Sequence, residues 1–269
     1  MINPVLILAA LALLPATARA QTSSPAITEV RTQLSYARLV DLVLQAPVIV
    51  RATIAGTQRI PPRNAPGLQP GQARLLMTAD VTAALVAPGG VAPSISWLQD
   101  VTLDARGRPP ALRGQPVLAW TDVPDNAGRT RLIAPDAQQP WQQALEDRVR
   151  AIATEVRSAT VPVVTGVSNG FRVAGTLPGE SESQFFLSTK EAKPLTIVVL
   201  ERPGQARSIA VASGDIIDES ATPVKPETLL WYRLACSLPP ELPRDAGGND
   251  PALANAWLGA IASLGSCTR

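Results

Sequence analysis

Apolar and polar positions alternate along much of this chain with the two-residue period of a half-buried strand, and in a few places the spacing changes to that of a helix. Ser35 is placed to cap a helix in which Tyr36, Leu39, Val40 and Val43 recur, and Pro47 disfavours a helical residue before it, so this helix ends near Gln45. Residues 47–60 are rich in β-branched side chains and predict a long strand, followed by a Pro- and Gly-rich loop at 61–71. Further strands are predicted at 74–86 and, after the turn Pro88, Gly89, Gly90, at 94–103. There Ile95 and Trp97 alternate with Ser96, and Val101 and Leu103 with Thr102. A basic loop at 104–114 precedes shorter strands at 117–120 and 130–133.

Residues 140–157 give the clearest helical stripe: Trp141, Leu145, Val149, Ile152 and Val156, with Pro140 suited to the first helical position. The opposite face carries Glu146, Asp147, Arg148, Arg150, Glu155 and Arg157. Beyond it, 161–167 and 171–177 flank Ser168, Asn169 and Gly170, the signal of a tight hairpin. Strands at 184–188, 195–201 and 208–212 follow. The densest apolar run, Thr228 to Cys236, predicts a central strand with Leu229, Trp231 and Arg233 on one face and Leu230, Tyr232 and Leu234 on the other. Asp250 and Pro251 then read as cap and first position of a helix over 252–264, with Leu253, Trp257, Leu258 and Ile261 inward and Gly265 at its end.

The expected class is mostly β with a minor α component. Two small antiparallel β units, an OB-like barrel at 35–139 and a second unit at 159–269, are joined by the amphipathic helix 140–158, with a helix at the C-terminal end. About five strands with turns at every join, and no crossover helices between them, suit a closed or partly open barrel better than a parallel sheet. The helix, the first strand Ala46, Pro47, Val48, Ile49, Val50, Arg51 and the strand ending near Val86 make residues 35–134 resemble the OB-type barrels of netrin-like and tissue-inhibitor-like modules. That resemblance implies a protease-inhibitor-like module. Such inhibitors act through an N-terminal cysteine, whereas the first cysteine here is Cys236, so that mechanism does not transfer.

The N-terminal stretch changes the picture of location. Val5 to Leu14 is apolar and is followed by Pro15 and the small-residue site Ala18, Arg19, Ala20, which predicts a signal peptide at 1–20, cleavage before Gln21 and a mobile leader at 21–34. The apolar run is shorter than the roughly 20 residues a spanning helix needs, and no later stretch is long enough either. The chain as a whole resembles exported bacterial proteins, and the expected location is periplasmic or secreted. In that compartment Cys236 and Cys267 form a disulfide, which adds on the order of 3.5 to 4 kcal/mol in the chain-entropy model.

The 269 residues, 46% hydrophobic and 17% charged, belong to a folded protein. The net charge of +2 gives no reason to expect nucleic acid as a partner. The chain contains no histidine, which removes Ser-His-Asp and Cys-His hydrolases and His-ligated metals, and no Walker, dinucleotide or Gly-x-Ser-x-Gly motif occurs. No cofactor is expected.

What remains are clusters. Glu180 and Glu182 flank Ser181 and, in an extended segment, share a face; they read as a solvated turn, a ligand or Ca²⁺ contact, or an acid and base pair. Asp215, Asp218 and Glu219, and the stretch Asp245 to Asp250, read as surface turns. Arg106, Arg108 and Arg113 form the basic loop, an exposed turn that offers contact to an acidic partner or glycan. Trp97, Trp120, Trp141, Trp231 and Trp257 each sit in an apolar pattern and read as core rather than as a sugar-stacking set. The reading with most behind it is an exported, soluble, non-enzymatic binding or structural module of the bacterial envelope, its partner an envelope protein or a glycan. A His-free carboxylate-dependent glycan hydrolase and a protease-inhibitor-like module stay open beside it.

Overall fold

The computed structural model describes residues 34–213 and 222–269; the expected signal peptide, almost all of the leader, and Asp215, Asp218 and Glu219 lie outside them. In chain order the elements are α1 (Tyr36–Gln45), β1 (Val48–Arg59), β2 (Gln72–Val86), β3 (Ser94–Thr102), β4 (Pro116–Thr121), β5 (Gln138–Pro140), α2 (Gln143–Ser158), β6 (Val164–Ala174), β7 (Ser181–Thr189), β8 (Thr196–Glu201), β9 (Ser208–Ala212), α3 (Leu229–Ala235) and α4 (Pro251–Leu264). They form two antiparallel sheets, a five-stranded one in the order β3-β2-β1-β4-β5 and a four-stranded one in the order β6-β7-β8-β9. The fold is therefore mostly β, as the alternation predicts.

α1 forms where Ser35 Oγ accepts the Arg38 N–H at 3.1 Å, capping a helix whose apolar face is wholly buried. The register of β1 on β2 slips at Ile49/Val50, Arg51/Ala52 and Ile54/Gly56, and each slip adds local twist, so the first sheet curls into a half-barrel. Val50, Ile54, Leu75, Met77, Ile95 and Trp97 fill its interior. On the outside, Ile49, Leu118 and Trp120 pack against α1, α2 and α3. Val48, Ile49 and Val50 of β1 and Val117, Leu118, Ala119 and Trp120 of β4 are thus buried on both faces, which is why each is an unbroken apolar run.

Two turns of this half are built alike. Asp104, Gly107 and Arg108 after β3, and Asp125, Gly128 and Arg129 after β4, share the pattern Asp-x-x-Gly-Arg. In each, the aspartate Oδ1 accepts the arginine backbone N–H at 2.9 Å and Oδ2 faces the arginine Nε, at 3.0 and 2.9 Å. The glycine takes the positive φ that the turn demands, 72° at Gly107 and 73° at Gly128.

The second sheet carries α4 on one face, where Phe185, Ile197 and Val199 meet Leu253, Trp257 and Ala260. The rings of Phe185 and Trp257 lie edge to face at 5.0 Å. Asp250 Oδ1 caps α4 by accepting from Ala252 and Leu253, as its sequence predicts. Leu258 is 52% exposed rather than inward, because the buried stripe runs through Leu253, Ala256, Trp257, Ala260 and Leu264.

Several expectations are corrected. The run at 229–236 is a helix: Thr228 Oγ1 accepts the Trp231 N–H at 3.1 Å, and Tyr232 N–H bonds to Thr228 O at 3.0 Å. α3 is wedged between the two cores, Leu229 and Tyr232 in one and Leu234 in the other. A short helix apolar on several sides has the same composition as a doubly buried strand.

Asn169 and Gly170 make no turn. Neither adopts a positive φ, and both lie inside β6, where the register slips between Val167 and Asn169 and Ser168 Oγ donates to Phe186 O at 3.0 Å. Gly170 serves close approach instead, since a Cβ there would stand 3.0 Å from Ala246 O. Residues 130–133 contribute only an isolated bridge, Thr121 to Leu132, and the fifth strand is β5. Pro140 ends that strand, with α2 beginning at Gln143.

Cys236 caps the C-terminal end of α3 and is bonded to Cys267, with their Cα atoms 5.2 Å apart. The bond ties α3 to the segment that follows α4. Trp231 Nε1 adds a second tie by donating to Leu264 O at 2.7 Å. Among the described residues, no helix is long and apolar enough to cross a membrane.

Candidate functional site

β6 and β7 are joined at 175–180 by a turn in which Gly175 N–H bonds to Glu180 O at 2.8 Å and Gly179 takes a φ of 84°. Glu180 folds its side chain back over Gly175. A Cβ on residue 175 would stand 2.4 Å from Glu180 Cγ, so only glycine fits there. The next residues alternate as a strand must: Ser181, Ser183 and Phe185 are buried toward α4, while Glu182, Gln184 and Phe186 lie on the outer face. Glu180 continues that outer row, so the two glutamates share a face as their spacing implies.

Across the sheet, Glu182 stands between Val173 of β6 and Leu200 of β8. Glu180, Glu182, Gln184, Val173, Leu200 and Arg202 line a concavity of about 510 Å³; Glu201 reaches its edge but, opposite Ser181, carries its carboxylate to the α4 face of the sheet. Its floor is apolar at Val173 and Leu200, and its rim is charged.

The carboxylates differ in what they face. Glu201 Oε2 accepts from Arg172 Nη2 at 2.9 Å and from Ser181 Oγ at 3.0 Å, while Oε1 accepts from Arg207 Nε at 3.0 Å and Nη2 at 2.5 Å. Burial pushes its carboxyl up, but the bonds from Arg172, Arg207 and Ser181 outweigh burial and hold it below the usual carboxylate range. Arg207 is itself fixed by Asn255 Oδ1 at 2.9 Å and lies against Gly259 of α4, where any side chain would collide with its guanidinium. Glu180 Oε1 is 3.5 Å from Arg202 Nε. Glu182 Oε1 accepts from Gln184 Nε2 at 2.6 Å and, among the described residues, has no cationic partner.

Glu180 and Glu182 are thus brought into one site, together with Leu200 and Arg202. The sequence reading missed those two, because they lie on and just after a different strand and only the pairing of β7 with β8 brings them across. The basic loop does not join them. Arg106, Arg108 and Arg113 are exposed on the connection between β3 and β4, and Arg108 is spent on Asp104 within its turn.

Trp97, Trp120 and Trp257 are fully buried. Trp141 and Trp231 are half-buried, their indole N–H groups donating to Glu146 and to Leu264 O and their rings met by the Arg51 guanidinium and the Tyr36 ring. Among the described residues, no group of three or more His, Cys, Asp and Glu side chains is placed to hold a metal ion. No protein-family model matches this chain, and no curated protein matches it either.

Proposed function

We propose that this protein is an exported, non-enzymatic binding module of the bacterial envelope and that the concavity beside Glu180 and Glu182 is its ligand site. The apolar run and small-residue site at the N-terminal end, together with the Cys236–Cys267 disulfide, support an oxidising compartment outside the cytoplasm.

The observation that carries the reading is the division among the carboxylates. Glu201 is turned to the α4 face and committed to two guanidiniums, and on the outer face Glu180 meets one, while Glu182 stands over apolar Val173 and Leu200 with only the Gln184 amide on it. An apolar floor with one uncommitted acceptor suits a ligand that presents hydrogen-bond donors or a cation.

A glycan hydrolase is the rival that the same concavity allows, since glycosidases work with paired carboxylates. That chemistry needs one acid kept protonated near neutral pH. Glu201, on the other face of the sheet, is held the opposite way by Arg172 and Arg207 and supplies no such acid to this concavity.

The test is a titration of the isotope-labelled full chain with N-acetylglucosamine oligomers and with lysine amide, following backbone amide signals and analysing the mixture for cleaved sugar. Binding without cleavage, with shifts at Val173, Glu182 and Gln184 that Glu182→Gln suppresses, is expected. Cleavage that Glu182→Gln abolishes would replace the binding reading by the enzymatic one, and shifts confined to other surfaces would remove the site.

A further inference from the structure

We infer that the ligand of this site is an extended polypeptide segment that adds to the free edge of β6 and lays a Lys or Arg side chain across Val173 onto Glu182, an inference that rests on the binding reading above.

β6 is an edge strand, hydrogen-bonded along its length to β7. The bond from Gly175 N–H to Glu180 O fixes which way the neighbouring groups point: backbone N–H and C=O alternate, so those of Arg172 and Ala174 face away from β7. Among the described residues, no backbone group bonds to them. The earlier part of the strand is approached by the turn Arg244–Ala246 at Gly170, which leaves 171–174 as the open stretch, all four residues exposed.

This edge lacks the protection that such strands normally carry. Phe171 and Val173 on its outer face are 39% and 55% exposed. Its one charged side chain, Arg172, is turned to the other face and bonded to Ser181 and Glu201. The register slips of β6 lie before Asn169, so the stretch 171–174 has no proline, bulge or outward charge and is a template for another strand.

Charge decides which strand. Adjacent strands lie about 4.8 Å apart, so an added strand would run roughly 10 Å from β7. A Lys or Arg side chain spans that gap with its apolar stem over Val173 and its cationic head at Glu182; shorter side chains do not. The concavity has the matching shape, since it begins at Val173 of the edge strand and continues over Glu182 to Leu200. A second copy of this chain, offering its own β6, would present Phe171 and Val173 on that face and no cation. A glycan would leave the backbone edge unused.

The probe is a short peptide of alternating Thr and Val with one central Lys, fluorescently labelled and titrated into the full chain. It is compared with the same peptide carrying Glu in place of Lys, and with a version N-methylated on alternate residues. The Lys peptide is expected to bind, with Glu182→Gln weakening it about fivefold, the size of a partly exposed ion pair. Ala174→Pro abolishes binding without lowering the melting temperature, because the N–H it removes faces away from the sheet.

Equal binding of the Lys and Glu peptides, or binding that survives N-methylation or Ala174→Pro, overturns the inference. So does sedimentation showing a dimer that Ala174→Pro dissociates. If the peptides fail while lysine amide or the sugar still shifts Glu182 and Gln184, strand addition is wrong and the binding site stands; if none of them binds, both fall.

Discussion

Tyr232 Oη donates to Asp41 Oδ1 at 2.6 Å, a buried bond that joins α3 to α1 across 191 positions of sequence. Arg269 Nε lies 3.0 Å from the other carboxylate oxygen, so Asp41 gathers two distant segments around one charge. Replacing Tyr232 by Phe keeps the ring and removes the donor. A hydrogen bond to a charged group contributes about 1.5 to 3 kcal/mol, and a loss of that size is expected in urea denaturation, with the slope unchanged. A change of only a few tenths would show that the bond contributes little.

Glu146 gives a second expectation. Its carboxylate is nearly enclosed between α2 and the half-barrel, where it accepts from Trp141 Nε1 at 2.7 Å, Arg150 Nη2 at 2.7 Å and Arg51 Nη1 at 3.2 Å. Removing one member of such a set strands the others, so Glu146→Ala is expected to cost roughly 3 kcal/mol. Arg51→Met, which leaves Glu146 its two other donors and keeps an apolar stem by Trp141, is expected to cost less. Equal losses in the two variants would mean that the network does not centre on the carboxylate.

The disulfide closes a loop between positions 31 residues apart. Its removal by the paired change Cys236→Ser and Cys267→Ser is expected to lower stability by about 3 to 4 kcal/mol through the unfolded chain. The melting temperature of the oxidised protein should fall to that of the variant on adding reductant. If reductant leaves it unchanged, the bond is not contributing in solution.

The titrating groups set the pH dependence. Asp100 is lowered by its bond from Arg74, and Asp136 by its bond from Arg38; in Glu146 and Glu201 burial raises the carboxyl, but the surrounding donors outweigh it and the net shift is downward. A lowered folded value means stability that is present above the unfolded carboxylate range, about 4, and lost as pH falls through the folded one. Tyr36 and Tyr232 are raised, chiefly by burial, so stability is full below about pH 10 and declines as pH rises beyond it. With no histidine in the chain and no free cysteine, the side chains supply nothing to titrate between these limbs. Denaturation midpoints should be flat from about pH 6 to 9 and fall on both sides. A step inside that window would reveal a perturbed group outside these networks.

Local signals were readable where local chemistry decides the outcome. Ser35 before an apolar face, Asp250 before Pro251, and the alternation along β2 and β3 each specify their element from a few neighbouring residues, and the structure forms all of them. An even pair of cysteines likewise implied the bond between Cys236 and Cys267.

The sequence by itself determined the β-rich class, the capped helices and the shared face of Glu180 and Glu182, because alternation and capping act over a few residues. Only the tertiary structure decided that Leu229–Ala235 is a helix, since burial between two cores erases the periodicity that separates helix from strand. It also decided that Gly170 admits a neighbouring backbone rather than a turn, and that Leu200 and Arg202 stand beside Glu182 and Glu180. Strand pairing sets those neighbours, and it is a property of the assembled sheet that no single stretch of sequence encodes.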